Sequence, residues 1–299
     1  MATKIWNGAA ADNTYTTAGN WVGGSAPVNS DDVIFPAMTQ AAGTDVDGSD
    51  QSGTTLNSFT VMAGCGCNLG SSGTRLYISV GGAATNAFNF AGSGTCYIGF
   101  TGSVTANVTS CAGSGGEGTF GLNLTAADNT ELNVSTESGC SLGIAGLAGE
   151  TATFTTIRVS GAGETTIGSG VTCTTLWMSG NPTVYAYPNI TTIYRGGGTL
   201  YKESGTLTTL YSSESGSCVY NSTGTLTTAY VYNSRGLDLS QDLRPKTITT
   251  CIAYTPDAIY CPNGSGVSQV VTFTNGISYY GCGLEGLPKH VKVTFGAVA

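Results

Sequence analysis

The chain has 299 residues, of which 45 are glycine, 15 are tyrosine and only 9% are charged; ten basic against eighteen acidic side chains leave a net charge of −8 and a pI near 4.4. A surface that tracks phosphates needs clustered Lys and Arg. Here the basic residues are scattered from Lys4 to Lys292, which argues against nucleic acid as a partner. Long helices are excluded as well, because no long window combines 3.6-residue periodicity with Ala, Leu, Glu, Lys and Arg, and no apolar run approaches the roughly 18 residues of a membrane span.

The first residues, Met1 to Gly8, lack a basic stretch followed by an apolar one, so no secretory signal is visible: either the chain is made and assembled in the cytoplasm or a leader has been removed. Residues 1–50 carry Lys4-Ile5-Trp6-Asn7-Gly8, Gly19-Asn20-Trp21, Pro27 and Asp31-Asp32-Val33-Ile34-Phe35. They hold two of the three tryptophans and are read as an N-terminal aromatic cap, since an uncapped β-solenoid leaves a hydrophobic cross-section and an open strand edge. The order Trp, Gly, Asn-Trp, Pro, Asp-x-Val-x-Phe resembles the opening of many β-helical surface proteins, including passenger-type repeats of bacterial surface proteins and β-rich structural proteins of tailed-phage virions. The likeness covers about 30 residues. Asp45-Val46-Asp47-Gly48-Ser49-Asp50 has the look of a calcium loop, but the further oxygen ligands and the late glutamate are missing, so it reads as a solvated turn.

Residues 51–246 are expected to form the shaft of a parallel β-solenoid (β-helix) with coils of roughly 17–20 residues, making the chain all-β with N- and C-terminal β caps. The phrase opens at Thr54-Thr55-Leu56 and Thr74-Arg75-Leu76, then blurs between about 90 and 150, where Tyr97–Phe100, Phe120–Leu124, Leu132–Val134 and Leu142–Ile144 still read as short period-2 strands between turns. It is clearest at Thr155-Thr156-Ile157, Thr174-Thr175-Leu176, Thr191-Thr192-Ile193, Thr208-Thr209-Leu210 and Thr227-Thr228-Ala229, whose apolar residues advance by 19, 17, 17 and 19 positions. That period is too long for one hairpin strand and too short for a helical repeat. It suits one solenoid coil.

Alternation turns Ile157, Leu176, Ile193, Leu210 and Ala229 inward and Arg158, Trp177, Tyr194, Tyr211 and Tyr230 outward. A second phrase, Thr183-Val184-Tyr185, Thr199-Leu200-Tyr201 and Cys218-Val219-Tyr220, predicts another outward column of Tyr185, Tyr201 and Tyr220. These two columns are the candidate binding surface: rings in a flat row could stack on sugar faces, pack against a neighbouring subunit, or simply brace the sheet. Residues 247–299, with Thr247–Ile252, Val270–Phe273 and His290–Phe295, are read as a C-terminal β cap or small subdomain closed by a charged edge strand.

No catalytic constellation emerges. Acidic residues such as Asp128, Glu137, Glu150 and Glu164 fall in turns, and only Lys202, Glu203 and Glu214, near Arg195, could converge on neighbouring coils. His290, the single histidine, reads as an edge-strand residue, and the Gly113–Gly116 and Gly196–Gly198 runs as turns rather than phosphate loops. The ten cysteines lack paired C-x-x-C spacing and read as small buried hydrophobes, with disulfides as the alternative. No metal, no cofactor and no membrane insertion are expected. Together with the resemblance, this implies a non-enzymatic structural component of a phage virion, a head decoration or fibre protein assembled in the host cytoplasm as a homo-oligomer such as a trimer and contacting other virion proteins. The alternatives are a carbohydrate-binding adhesin or tailspike that recognises surface glycans, and a secreted protein of the bacterial cell surface.

Overall fold

The structure is a computed structural model and describes residues 1–39, 44–71, 73–81, 88–101, 105–109, 122–126, 130–139, 141–144, 152–242, 244–255, 257–260, 270–275, 277–279 and 292–295. Within these, the chain is all-β apart from one short 3-10 turn at Ala18–Asn20, and its paired strands run parallel. From Asp32–Phe35 onward strands pair with those two positions away in sequence, so successive strands alternate between two sheets; the exceptions are Thr3–Ile5, which pairs with the next strand, and Ile277–Tyr279, which pairs with Lys246–Ala253. That connectivity is a β-solenoid, as expected from the repeat. Two compact units divide it: Met1–Ile157 with Gly170–Thr172, and Arg158–Ser169 with Cys173–Ala299.

In the first unit, Thr3–Ile5 lies parallel to Asp32–Phe35, which lies parallel to Ser58–Val61. Trp6 and Trp21 form an antiparallel bridge, and both indoles are fully buried. Their ring nitrogens still find acceptors, Trp6 Nε1 donating to Thr44 O at 2.9 Å and Trp21 Nε1 to Tyr15 O at 2.7 Å, which is what allows a tryptophan to be buried at little cost. From this cluster an inward aromatic column continues through Phe35, Phe59 and Phe88, with centroids 5.3 and 5.8 Å apart, and ends edge-on against Phe100. Asp31 is buried beside it. Burial alone would raise its carboxyl, but hydrogen bonds from the amides of Ala2 and Val28, with Lys4 nearby, hold it below the usual range. On the outer face, Asn89, Asn107 and Asn133 stand in register and pass amide hydrogen bonds of 3.3 and 3.0 Å from coil to coil. The blurred region holds strands at Cys96–Phe100, Leu122–Ala126, Thr130–Thr136 and Ser141–Ile144, close to their expected positions.

The second unit explains the Thr-Thr-apolar phrase. Register runs Cys173↔Ile190, Ile190↔Leu207, Leu207↔Leu226 and Leu226↔Ile248, then resumes two residues on at Thr175↔Thr192, Thr192↔Thr209, Thr209↔Thr228 and Thr228↔Thr250. In each coil two buried residues, such as Leu207 and Leu210, bracket two that are not, Thr208 and Thr209. The strand therefore bends at the doublet instead of alternating through it. Threonine suits that place, since β-branching stiffens the extended backbone while the hydroxyl stays in water. Ile157, Leu176, Ile193, Leu210 and Ala229 are all fully buried, each large aliphatic contributing roughly 1.5–3 kcal/mol by leaving water.

The second sheet of this unit runs through Glu164–Ile167, Thr183–Ala186, Thr199–Lys202, Cys218–Tyr220, Leu237–Asp238 and Ile259–Tyr260. Glycine at the corners is obligatory where coils nearly touch: Gly216 has φ +91°, and a Cβ there would fall 2.0 Å from Gly198 O. Lys246–Ala253 continues the larger sheet and pairs with Val270–Phe273 and Ile277–Tyr279; Val270–Phe273 in turn pairs in parallel with Lys292–Phe295, the terminal strand. His290, Asp128, Glu150 and Gly113–Gly116 lie outside the described residues, as do Cys111, Cys140, Cys261 and Cys282.

Candidate functional site

The larger sheet of the second unit aligns Trp177↔Tyr194, Tyr194↔Tyr211 and Tyr211↔Tyr230. Their rings form one continuous stack, with centroids 3.9, 4.9 and 4.9 Å apart and planes within 15° of parallel. Trp177 is 43% exposed and the three tyrosines are half-buried. This geometry bears directly on what the column can bind. The faces of the inner rings are spent on one another, so the column offers edges and hydroxyls, spaced at the coil repeat of about 4.8 Å, beside two files of threonine. Stacking on sugar faces, one of the readings open from sequence, is therefore closed to Tyr194 and Tyr211, whose two faces are both covered by rings.

The second column is shorter than expected. Tyr185 and Tyr201 stack at 4.8 Å with planes 11° apart, but the partner of Tyr201 is Val219, and Tyr220 pairs with Lys202. Tyr220 is fully buried, which corrects its outward assignment. Cysteine is the reason. Cys218 behaves as an inward hydrophobe beneath Leu200, so Cys218-Val219-Tyr220 begins on the core face, and a one-residue change of phase reverses every side chain. The Tyr220 hydroxyl donates to Gly224 O at 2.7 Å inside the coil. Among the described residues, the exposed rings outside the expected columns are Tyr77, Tyr187, Tyr232 and Tyr254, at 37, 38, 42 and 37%.

Beneath the surface, charge is used in an unusual way. Arg195, Lys202 and Lys246 are all buried. Arg195 follows Tyr194 in register with Met178 and Ser212, on the inward side. Its Nη1 donates to Gly198 O (3.0 Å) and Ser215 O (2.7 Å), its Nε and Nη2 to Ser212 Oγ (3.1 and 2.7 Å), and Nη2 also to Asn233 Oδ1 (3.1 Å). Residues of three successive coils meet at this one guanidinium, and all its acceptors are neutral. Burial consequently lowers its pKa, against the opposing pull of Cys218 and Glu214. The corner glycines make room: a Cβ on Gly216 would sit 3.2 Å from Arg195 Nη1.

Lys202 does the same at the other sheet, where its neighbours in register are the small Ala186 and the buried Tyr220. Its Nζ donates to Pro188 O at 2.8 Å and to Ser204 O. Burial pushes it down to about 8, with Cys218 and Glu203 pulling the other way. Lys246 Nζ reaches Asp242 Oδ2 at 2.6 Å and Asn221 O at 3.2 Å, and Arg244 also binds Asp242. Turn carbonyls have no strand partner, so these inward cations supply donors that the ladders cannot.

The acidic residues grouped with them from sequence do not gather into a site. Glu214 is exposed, Glu203 accepts from Asn221 Nδ2 at 3.0 Å, and both cations point away into the core. Asp45 and Asp50 accept backbone amides of Asn68 and Ser52. Among the described residues no three His, Cys, Asp or Glu side chains are arranged to hold a metal. Cys65, Cys67, Cys96, Cys173, Cys218 and Cys251 are buried thiols, and burial pushes both Cys218 and Cys251 up to about 12. Comparison with protein-family models, curated proteins and solved structures gives no match to this chain.

Proposed function

We propose that the chain is a non-enzymatic structural component of a virion of the tailed-phage type, a head-decoration or fibre protein that contacts copies of itself and other virion proteins. The observation that carries this reading is the division of labour in the second unit. Its described strands send Arg195, Lys202 and Lys246 inward to brace corners, and present threonine files and a stacked aromatic column outward. From Val171–Met178 to Leu226–Val231 the strands of that face carry no outward charge, so this part is ready to be covered without desolvating ions, while exposed Arg158 stands on the strand before them. The N-terminal Trp, Asn-Trp, Pro, Asp-x-Val-x-Phe series supplies the virion part of the proposal. Proteomics of density-purified particles from the native source tests it: the chain should co-purify with particles at constant stoichiometry, and its absence from them would sink the reading.

A second reading, a glycan-binding adhesin or tailspike at the cell surface, draws on Trp177, which ends the column and is 43% exposed. A glycan array with Trp177→Ala and Tyr211→Ala separates the two. Binding lost in the first variant and kept in the second would favour the adhesin, because Tyr211 has both faces covered by rings whereas Trp177 has one ring partner and is 43% exposed.

A further inference from the structure

Tyr232 and Tyr254 stand apart from the four-ring column. Each directly follows a strand, Leu226–Val231 and Lys246–Ala253, and the two strands end in register at Val231↔Ala253. Both backbones are anchored there, Tyr232 N donating to Ser212 O at 2.8 Å and Tyr254 N to Val231 O at 2.9 Å. The rings lie one above the other with centroids 4.4 Å apart and planes 14° from parallel, and each is more than a third exposed. Tyr211, by contrast, is clamped on both faces by Tyr194 and Tyr230. Tyr232 and Tyr254 can hinge towards each other on the solvent side, so two phenols are held at a high effective concentration with freedom to meet edge to edge.

We propose that Tyr232 and Tyr254 are an oxidative modification site, at which a one-electron oxidant joins the two rings as dityrosine across adjacent coils. Each phenol gives one electron to the oxidant and its hydroxyl proton to water, leaving two neutral phenoxyl radicals. One carbon–carbon bond then forms between carbons ortho to the oxygens, and the hydrogens on those carbons move to the oxygens to restore both phenols. The net loss is two electrons and two protons. Burial and the adjacent Tyr254 raise the Tyr232 phenol, so at neutral pH its proton is present to leave with the electron. The product ties positions about 20 residues apart and restrains the unfolded chain as a disulfide would.

The test is mild oxidation of the full chain at low concentration with a photo-excited ruthenium polypyridyl complex and persulfate, followed by dityrosine fluorescence and mass mapping. The expected product is a monomer lighter by two hydrogens, with one dominant cross-linked peptide pair containing residues 232 and 254 and a raised thermal midpoint. Tyr232→Phe and Tyr254→Phe keep the stack and the fold, verified by circular dichroism, yet should each abolish that product; Tyr187→Phe, at a ring of equal exposure, should leave it intact. Cross-links spread over Tyr77 and Tyr187 in proportion to exposure, or mainly between molecules, or a yield unchanged in Tyr254→Phe, would overturn the proposal.

Discussion

Lys202 offers the sharpest test of the buried-cation arrangement, through the substitution Lys202→Met. With its ammonium fully buried and its pKa brought from 10.5 to about 8, the native state holds the proton less tightly than the unfolded chain. At about 1.36 kcal/mol for each pKa unit, keeping the charge buried costs about 3 kcal/mol at pH 7. Methionine removes that cost but leaves Pro188 O and Ser204 O without their donor, at about 1–3 kcal/mol each, so the two proteins should lie within about 3 kcal/mol of each other at neutral pH. The sign of the pH dependence follows from linkage. Between about pH 8 and 10.5 the unfolded wild type binds more protons than the folded one, so its stability rises with pH, whereas the methionine variant lacks this contribution. Buried Tyr15, Tyr220 and Cys251, all raised, act in the opposite direction at alkaline pH, but do so in both proteins; Cys218, also raised, loses the lowering pull of Lys202 in the variant, which adds to the difference in favour of wild type. Urea denaturation followed by circular dichroism at steps from pH 7 to 10.5 should therefore show the difference between wild type and variant shifting by about 3 kcal/mol in favour of wild type. A difference that stays flat across this range would mean that Lys202 keeps its water, and would refute the buried-staple reading.

Three further outcomes are expected. Tyr220→Phe removes the donor to Gly224 O and should cost about 1–2 kcal/mol in urea titration, whereas Tyr201→Phe, on the half-buried outer face, should stay within about 0.5 kcal/mol. Tyr211→Ala breaks two stacked contacts and Trp177→Ala one; at about 0.5–1.5 kcal/mol per pair beyond burial, Tyr211→Ala should lower the thermal midpoint more, although Trp177 is the larger ring. Gly216→Ala forces a Cβ to within 2.0 Å of Gly198 O at a left-handed φ, and should speed amide exchange at the corners around residues 198 and 216 while distant coils stay protected.

The larger sheet of the second unit was legible because one coil repeats a composition as well as a length. The Thr-Thr-apolar phrase marks a bend, and a bend must recur in register if coils are to stack, so Leu176, Ile193 and Leu210 could be placed by counting. The second sheet was harder to phase. Its phrase is marked by Tyr, whereas the registering residue is the inward one, Val184, Leu200 and then Cys218; a cysteine standing where the phrase elsewhere has threonine makes Tyr220 look outward. A usable signal for the cations was present: Arg195 stands two residues beyond inward Ile193, and Lys202 two beyond inward Leu200. Alternation places both in the core. A charge at an inward position invites reassignment to the surface, because sequence alone does not display the turn carbonyls that receive it.

The guanidinium of Arg195 also constrains how such a chain can change length. The phrase Gly-Thr-Leu-Thr-Thr, identical at Gly205–Thr209 and Gly224–Thr228, makes these coils look like copies that replication slippage could add or excise at will, since Leu207 and Thr209 stand in register on Leu226 and Thr228. Excising the coil that begins at Leu207 would bring Val231 to the place of Ser212, and an isopropyl group would face Arg195 where a hydroxyl now accepts two of its hydrogen bonds. Arg195 thus makes the stretch from 195 to 233 heritable as a block: duplications should accumulate outside it, and deletions within it should survive only when the arginine is lost as well.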